Sequence, residues 1–108
     1  MQRPRTRVVV VTGASAGVGR ATAVAFARQG YRVGLIARGH EGLEGARREV
    51  EAAGSEALLC PADVADPQSV FAAADRIVRH FGGIDVWVNN AMATVFGPLE
   101  TITPDEFR

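Results

Sequence analysis

The sequence holds no lysine: all 12 of its basic residues are arginine, set against 12 Asp and Glu over 108 residues. A chain without lysine carries no P-loop lysine, no Schiff-base lysine and no Tyr–Lys catalytic pair. Cysteine is nearly as scarce. The single Cys60 excludes a disulfide framework and a thiolate metal cluster. Net charge is absent as well, at +0 with a pI near 6.7, which removes the global electrostatic case for a nucleic-acid partner.

Long apolar runs are missing too. Val8–Val11 follows the basic start Met1–Arg7, but this run is too short for a signal-peptide core of about 7–15 residues. No run approaches the roughly 20 residues of a membrane span. The sequence therefore predicts a soluble, cytoplasmic protein with no membrane partner, and Met1–Arg7 reads as a solvated arm. A chain of this length lies near the commonest domain size and buries roughly 65% of the surface its unfolded form exposes.

What is present alternates. Val8–Val11 is an unbroken β-branched run, the pattern of a strand buried on both faces. From Gly17 to Gln29 the apolar residues Val18, Ala21, Val24, Ala25 and Phe26 fall at helical spacing, with Gly30 as the stop. Arg32–Ala37 reads as a second strand, and His40–Ala53 as an amphipathic helix closed by Gly54. A third strand, Ala57–Cys60, ends at Pro61. Asp66-Pro67 then opens a helix with an acid at N-cap and proline at the first helical position. Its predicted stripe is Val70, Phe71, Ala74, Ile77, Val78 and Phe81, and Gly82-Gly83 ends it. Ile84–Val88 is a fourth strand leading into Asn89-Asn90-Ala91. This order predicts an α/β fold with a doubly wound parallel sheet.

Thr103-Pro104-Asp105-Glu106 carries the signature of a helix start, with only Phe107 and Arg108 behind it. The fourth strand would also be left as an apolar sheet edge. The expectation is an incomplete sheet, the front part of a longer fold.

The loop after the first strand reads Thr12-Gly13-Ala14-Ser15-Ala16-Gly17-Val18-Gly19. Gly13 can turn the chain out of the strand, Gly17 lets backbone approach a pyrophosphate, and Gly19 lets the helix lie close to the sheet. Free N–H groups and the positive end of the helix dipole favour an anion there.

With the later segments, this loop resembles the short-chain dehydrogenase/reductase family. The resemblance rests on Thr12–Gly19, on Asp63-Val64 after the third strand, and on Asn89-Asn90-Ala91-Met92 after the fourth, and runs from about Arg7 to Arg108. It implies that residues 1–108 are the N-terminal portion of an NAD(P)-binding Rossmann domain. Met92 departs from the pattern, standing where the family has glycine; its side chain either lines the nicotinamide end of the cleft or packs.

Dinucleotide folds that select NAD place an acid roughly 20 residues past the glycine loop. Here Ile36-Ala37-Arg38-Gly39-His40 offers none before Glu41. Arg38 suits a 2′-phosphate, which a guanidinium grips bidentately, and Ser15 can add a hydrogen bond. The expected cofactor is NADP rather than NAD. The resemblance implies that Asp63 accepts from the adenine amino group, that Val64 offers its backbone N–H, and that Asn89 and Ala91 hold the fourth strand's end against the cofactor. The expected binding set is Gly13, Ser15, Ala16, Gly17, Val18, Gly19, Arg38, Asp63, Val64, Asn89 and Ala91. Cys60 reads as a core residue. His40 and His80 have no metal-ligating neighbour at usable spacing, so no metal is expected.

The resemblance also implies an oxidoreductase that moves hydride between NADP(H) and a small carbonyl or alcohol substrate, homo-oligomeric when complete. Its proton donor is a tyrosine with a lysine four residues on. The single tyrosine, Tyr31, has Leu35 in that place. No catalytic residue is therefore assigned, and the chain alone is expected to be inactive. The alternative is a non-catalytic dinucleotide-binding sensor or regulatory module. A nucleotide-type methyltransferase is disfavoured by Arg38, which stands where that class wants an acid.

Overall fold

The computed structural model describes residues 6–14 and 17–90, apart from the Glu41 side chain. Its elements are β1 (Val8–Thr12), α1 (Gly17–Arg28), β2 (Arg32–Ala37), α2 (His40–Ala52), β3 (Ala57–Pro61), α3 (Pro67–Phe81) and β4 (Val86–Asn89). All strand pairings are parallel, and the order across the sheet is β3-β2-β1-β4.

Alternate residues of the strands feed two separate cores. Val9, Val11, Val33, Leu35 and Ala37 pack beneath α1 and α2 with Ala23, Ala27, Leu43, Ala46 and Val50. Val8, Val10, Ile36 and Cys60 point the other way, against Ala73 and Ile77 of α3. With helices on both faces, each strand position finds an apolar partner, so the run of valines needs no alternation. The expected α/β Rossmann-type sheet is the one found.

The two helical stripes differ from the sequence expectation. In α1 the buried residues are Gly19, Ala23 and Ala27, whereas Val18 is 71% exposed. Small residues let the helix axis approach the sheet, and the larger apolar side chains are left to its flanks. In α3 the buried residues are Ala73 and Ile77; Phe71 and Val78 face outward, 71% and 41% exposed. Phe71 and Val78 lie seven residues apart and so share a flank that the sheet does not reach. The close seat of α3 is set instead by Gly34 in β2, where a Cβ would run into Cδ1 and Cγ1 of Ile77.

The helix ends follow the sequence. Asp66 caps α3 by accepting from the Gln68 N–H at 3.1 Å, and Gly82 takes the left-handed C-cap at φ 95°, its N–H donating to Val78 O at 2.7 Å. β4 begins two residues later than expected, at Val86. The Asp85 side chain takes a ladder position instead: its Oδ2 accepts from the Val8 N–H at 2.7 Å while its own N–H donates to Val8 O at 2.8 Å.

Cys60 is buried, with Sγ 4.0 Å from both Ala73 O and an Arg76 Nη1. Burial pushes its thiol pKa up, and Arg76 pulls it partly back.

Two outcomes are expected. Gly34→Ala should lower stability by about 1–3 kcal/mol through overpacking against Ile77, read as a lower urea midpoint. The raised thiol pKa means that the folded chain holds the Cys60 proton more tightly than the unfolded chain. Its contribution is whole below the ordinary thiol range near about 8.5 and is lost as pH climbs through the folded value. The urea midpoint should therefore fall at alkaline pH more steeply in the parent chain than in Cys60→Ala.

Candidate functional site

The chain leaves β1 for β2 and β3 on one side, then returns to place β4 on the other side of β1. That reversal opens a crevice beyond the carboxyl ends of β1 and β4, where open α/β sheets bind ligands. The loops after Thr12, Ala37, Pro61 and Asn89 all start at this end of the sheet.

The glycine loop begins with a tight exit from β1. Gly13 has φ 65°, and its N–H, like that of Ala14, donates to Ile36 O, at 2.8 and 3.4 Å. These two amides are thus engaged by β2. Gly17 opens α1 at φ 61°, a conformation side chains resist, and a Cβ there would meet open space. At Gly19 a Cβ would collide with the carbonyl of Gly13. The loop therefore folds back on its own first glycine, a contact more local than helix against sheet. The first turn of α1 contains no acid, and its leading amides have no intrahelical acceptor. Such a helix start carries the positive end of the helix dipole. Ser15 and Ala16 lie outside the described residues.

Beside this loop, the Thr12 hydroxyl donates to Asn89 Oδ1 at 2.8 Å. Thr12 is 2% exposed and is the buried polar residue of the described core. The next residue, Asn90, has a buried Nδ2 with no partner among the described residues.

Arg38 and His40 are exposed on either side of Gly39, the N-cap of α2, which makes no side-chain cap hydrogen bond. Arg38 has no ion-pair partner among the described residues. Asp63 is half-buried just beyond β3. Its Oδ1 accepts from the Ala65 N–H at 2.9 Å, and its own N–H donates to Ser69 Oγ at 3.2 Å. Asp63 is thus held by a local turn, while Asp66 does the capping. Val64 packs against the α3-side core. Gly13, Gly17, Val18, Gly19, Arg38, Asp63, Val64 and Asn89 all lie at or just beyond the carboxyl end of the sheet. Ala91, Met92 and the Thr103–Glu106 helix start lie outside the described residues.

The family profile described as short chain dehydrogenase matches residues 7–108. The chain belongs to the short chain dehydrogenase family. Versicolorin reductase stcU of Emericella nidulans is 40% identical over 102 residues, covering 94% of this chain and 39% of that relative. Among solved structures, L-sorbose reductase from Gluconobacter frateurii, complexed with NADPH and L-sorbose, superimposes with TM-score 0.77. Its identity is 34%, over 95% of this chain and 40% of that one. NAD+-bound xylitol dehydrogenase gives TM-score 0.74 and 35% identity, over 80% of this chain and 33% of that one. The chain therefore spans well under half the length of these relatives. Short chain dehydrogenases of this shape bind dinucleotides of both kinds, NADPH in one neighbour and NAD+ in the other.

For this family member, sequence reasoning assigned no role to Thr12 or Ser69. A hydroxyl closing an otherwise apolar buried strand was the available signal for Thr12. Ser69 gave none, since its bond to Asp63 depends on how the turn before α3 closes. Thr12→Val keeps the shape and leaves Asn89 Oδ1 without its donor. It should cost about 1–3 kcal/mol in urea unfolding and speed amide exchange in β4.

Proposed function

We propose that this chain holds the nucleotide-binding part of an NADP(H)-dependent short chain dehydrogenase, which moves hydride between the cofactor and a carbonyl or alcohol substrate. The carrying observation is the exposed Arg38 at the end of β2, free of any described ion pair, beside an α1 first turn without an acid. The residues fit a dinucleotide: Gly17 leaves open space at the loop, and the missing Cβ at Gly19 lets the loop fold back onto the Gly13 carbonyl.

In this reading Gly13, Ser15, Ala16, Gly17, Val18 and Gly19 form the loop that carries the pyrophosphate. The amides at the start of α1 take the negative charge. The 71%-exposed Val18 covers the cofactor with apolar surface. Arg38 grips the 2′-phosphate, for which an acid would be repulsive. The remaining oxygen of Asp63 accepts from the adenine amino group, and the Val64 N–H donates to the ring. Asn89, held by Thr12, and Ala91 support the nicotinamide side. When bound, the nicotinamide supplies or takes up the hydride.

The proton is another matter. The chain has no lysine, and its one tyrosine lies at the amino end of β2, opposite the crevice. The Tyr31 hydroxyl accepts from an Arg7 Nη1 at 3.4 Å, and the ring meets Phe26 edge-on at 4.9 Å. Tyr31 is thus structural, and these 108 residues are proposed to bind cofactor without turning it over.

Titration followed by Trp87 fluorescence tests the reading. NADPH should bind at least about tenfold more tightly than NADH, and Arg38→Asp should abolish or invert that ratio. Equal affinities in the parent chain would overturn the NADP preference. Binding of neither would overturn the nucleotide site.

A further inference from the structure

Hydrogen bonds that close the turn between β3 and α3 converge on Asp63. Its Oδ1 accepts from the Ala65 N–H and its backbone carbonyl from the Asp66 N–H, each at 2.9 Å. Its own N–H donates to Ser69 Oγ at 3.2 Å. The first two bonds lie inside the turn and set its shape. The third reaches forward to the third residue of α3, a helix seated in the core through Ala73 and Ile77. Just before the turn, the Ala62 N–H donates to Ala37 O of β2 at 2.9 Å. A bond inside a turn travels with the turn. A bond to a seated helix fixes where the turn points.

Asp63 Oδ2 and the Val64 N–H have no partner among the described residues. They stand on consecutive residues, a charged acceptor followed by a donor. Adenine presents the complement: an amino group that donates and a ring nitrogen that accepts. Hypoxanthine reverses both, with a carbonyl in place of the amino group and a protonated ring nitrogen. A carboxylate held opposite that carbonyl repels it.

We propose that Ser69 is a positioning residue for base selection. By holding the Asp63 N–H, it keeps Asp63 Oδ2 and the Val64 N–H in place as one acceptor–donor pair, and the site then prefers adenine to hypoxanthine. The inference rests on the nucleotide reading above but not on its preference for NADP, since NADPH and NADH carry the same base. Without the Ser69 hydroxyl the turn keeps its internal bonds and loses its tie to α3. Adenine must then order the turn as it binds, which weakens it. Hypoxanthine, which the ordered pair repels, loses nothing.

The test measures dissociation constants for NADPH and NADH and for their two hypoxanthine analogues. The proteins are the full chain, Ser69→Ala, Ser69→Cys, Ser69→Thr and Asp66→Ala. The parent should bind each adenine dinucleotide at least about tenfold more tightly than its analogue. Ser69→Ala should cut that ratio to about threefold by weakening the adenine form alone. Ser69→Cys, a poorer acceptor of similar size, should fall between, and Ser69→Thr should restore the parent ratio. These last two carry the same comparison should Ser69→Ala fail to fold. Asp66→Ala removes the cap accepted from the Gln68 N–H and leaves the Asp63 N–H bonded, so it should lower the urea midpoint without moving the ratio. Equal weakening of both bases by Ser69→Ala, equal ratios in Ser69→Cys and Ser69→Thr, or an Asp66→Ala ratio as low as that of Ser69→Ala would each overturn the Ser69 role alone. A parent that binds dinucleotides with no base preference would sink the Asp63–adenine contact, and the Ser69 role with it. Binding of no dinucleotide at all would sink the nucleotide reading itself.

Discussion

Val8, Val9, Val10 and Val11 are wholly withdrawn from solvent, and a single helical layer cannot achieve that. β1 must lie inside a sheet with helices on both faces, and with a strand hydrogen-bonded along each of its edges. Its neighbours are β2 and β4, and its two faces belong to different cores. Once β1 is central, the reversal of strand order falls beside it. The loop leaving Thr12 then opens into the crevice that the reversal creates. The glycine loop stands where a ligand can reach it because four valines cannot be left wet.

β4 is held differently. All its residues are half-buried, so apolar burial fastens it less firmly than β1 or β2. Polar contacts at its two ends make up the difference. Before it starts, Asp85 exchanges hydrogen bonds with Val8; where it ends, Asn89 accepts from Thr12. Each contact is partly shielded from water, which raises the cost of breaking it. The second contact also ties the end of β4 to the strand that launches the glycine loop.

Membership of the short chain dehydrogenase family brings the fold, and the relatives divide on the cofactor. A neighbour carrying NADPH and one carrying NAD+ superimpose almost equally well, at TM-scores of 0.77 and 0.74. Backbone geometry is thus indifferent to the 2′ position. In the proposed reading, selection falls to charge at the end of β2, where this chain presents Arg38.

Much of this was legible in the sequence, because the signals were local. A run of β-branched residues, glycines at G-x-x-x-G-x-G spacing, and Asp66-Pro67 at a helix start each act through their own backbone. They specified the order of the strands and helices, the α/β class and the position of the loop. Which side of a helix is buried was not local. Val18, Phe71 and Val78 share helical spacing with buried residues and still face water, because seating depends on the small residues opposite: Gly19 under Gly13, and Gly34 under Ile77. The tertiary structure likewise decided the partners of polar groups far apart in sequence, Thr12 with Asn89, Val8 with Asp85 and Arg20 with Glu49. Spacing along one chain carries no record of such pairs, since they exist only when the sheet brings distant strands and helices within hydrogen-bonding reach.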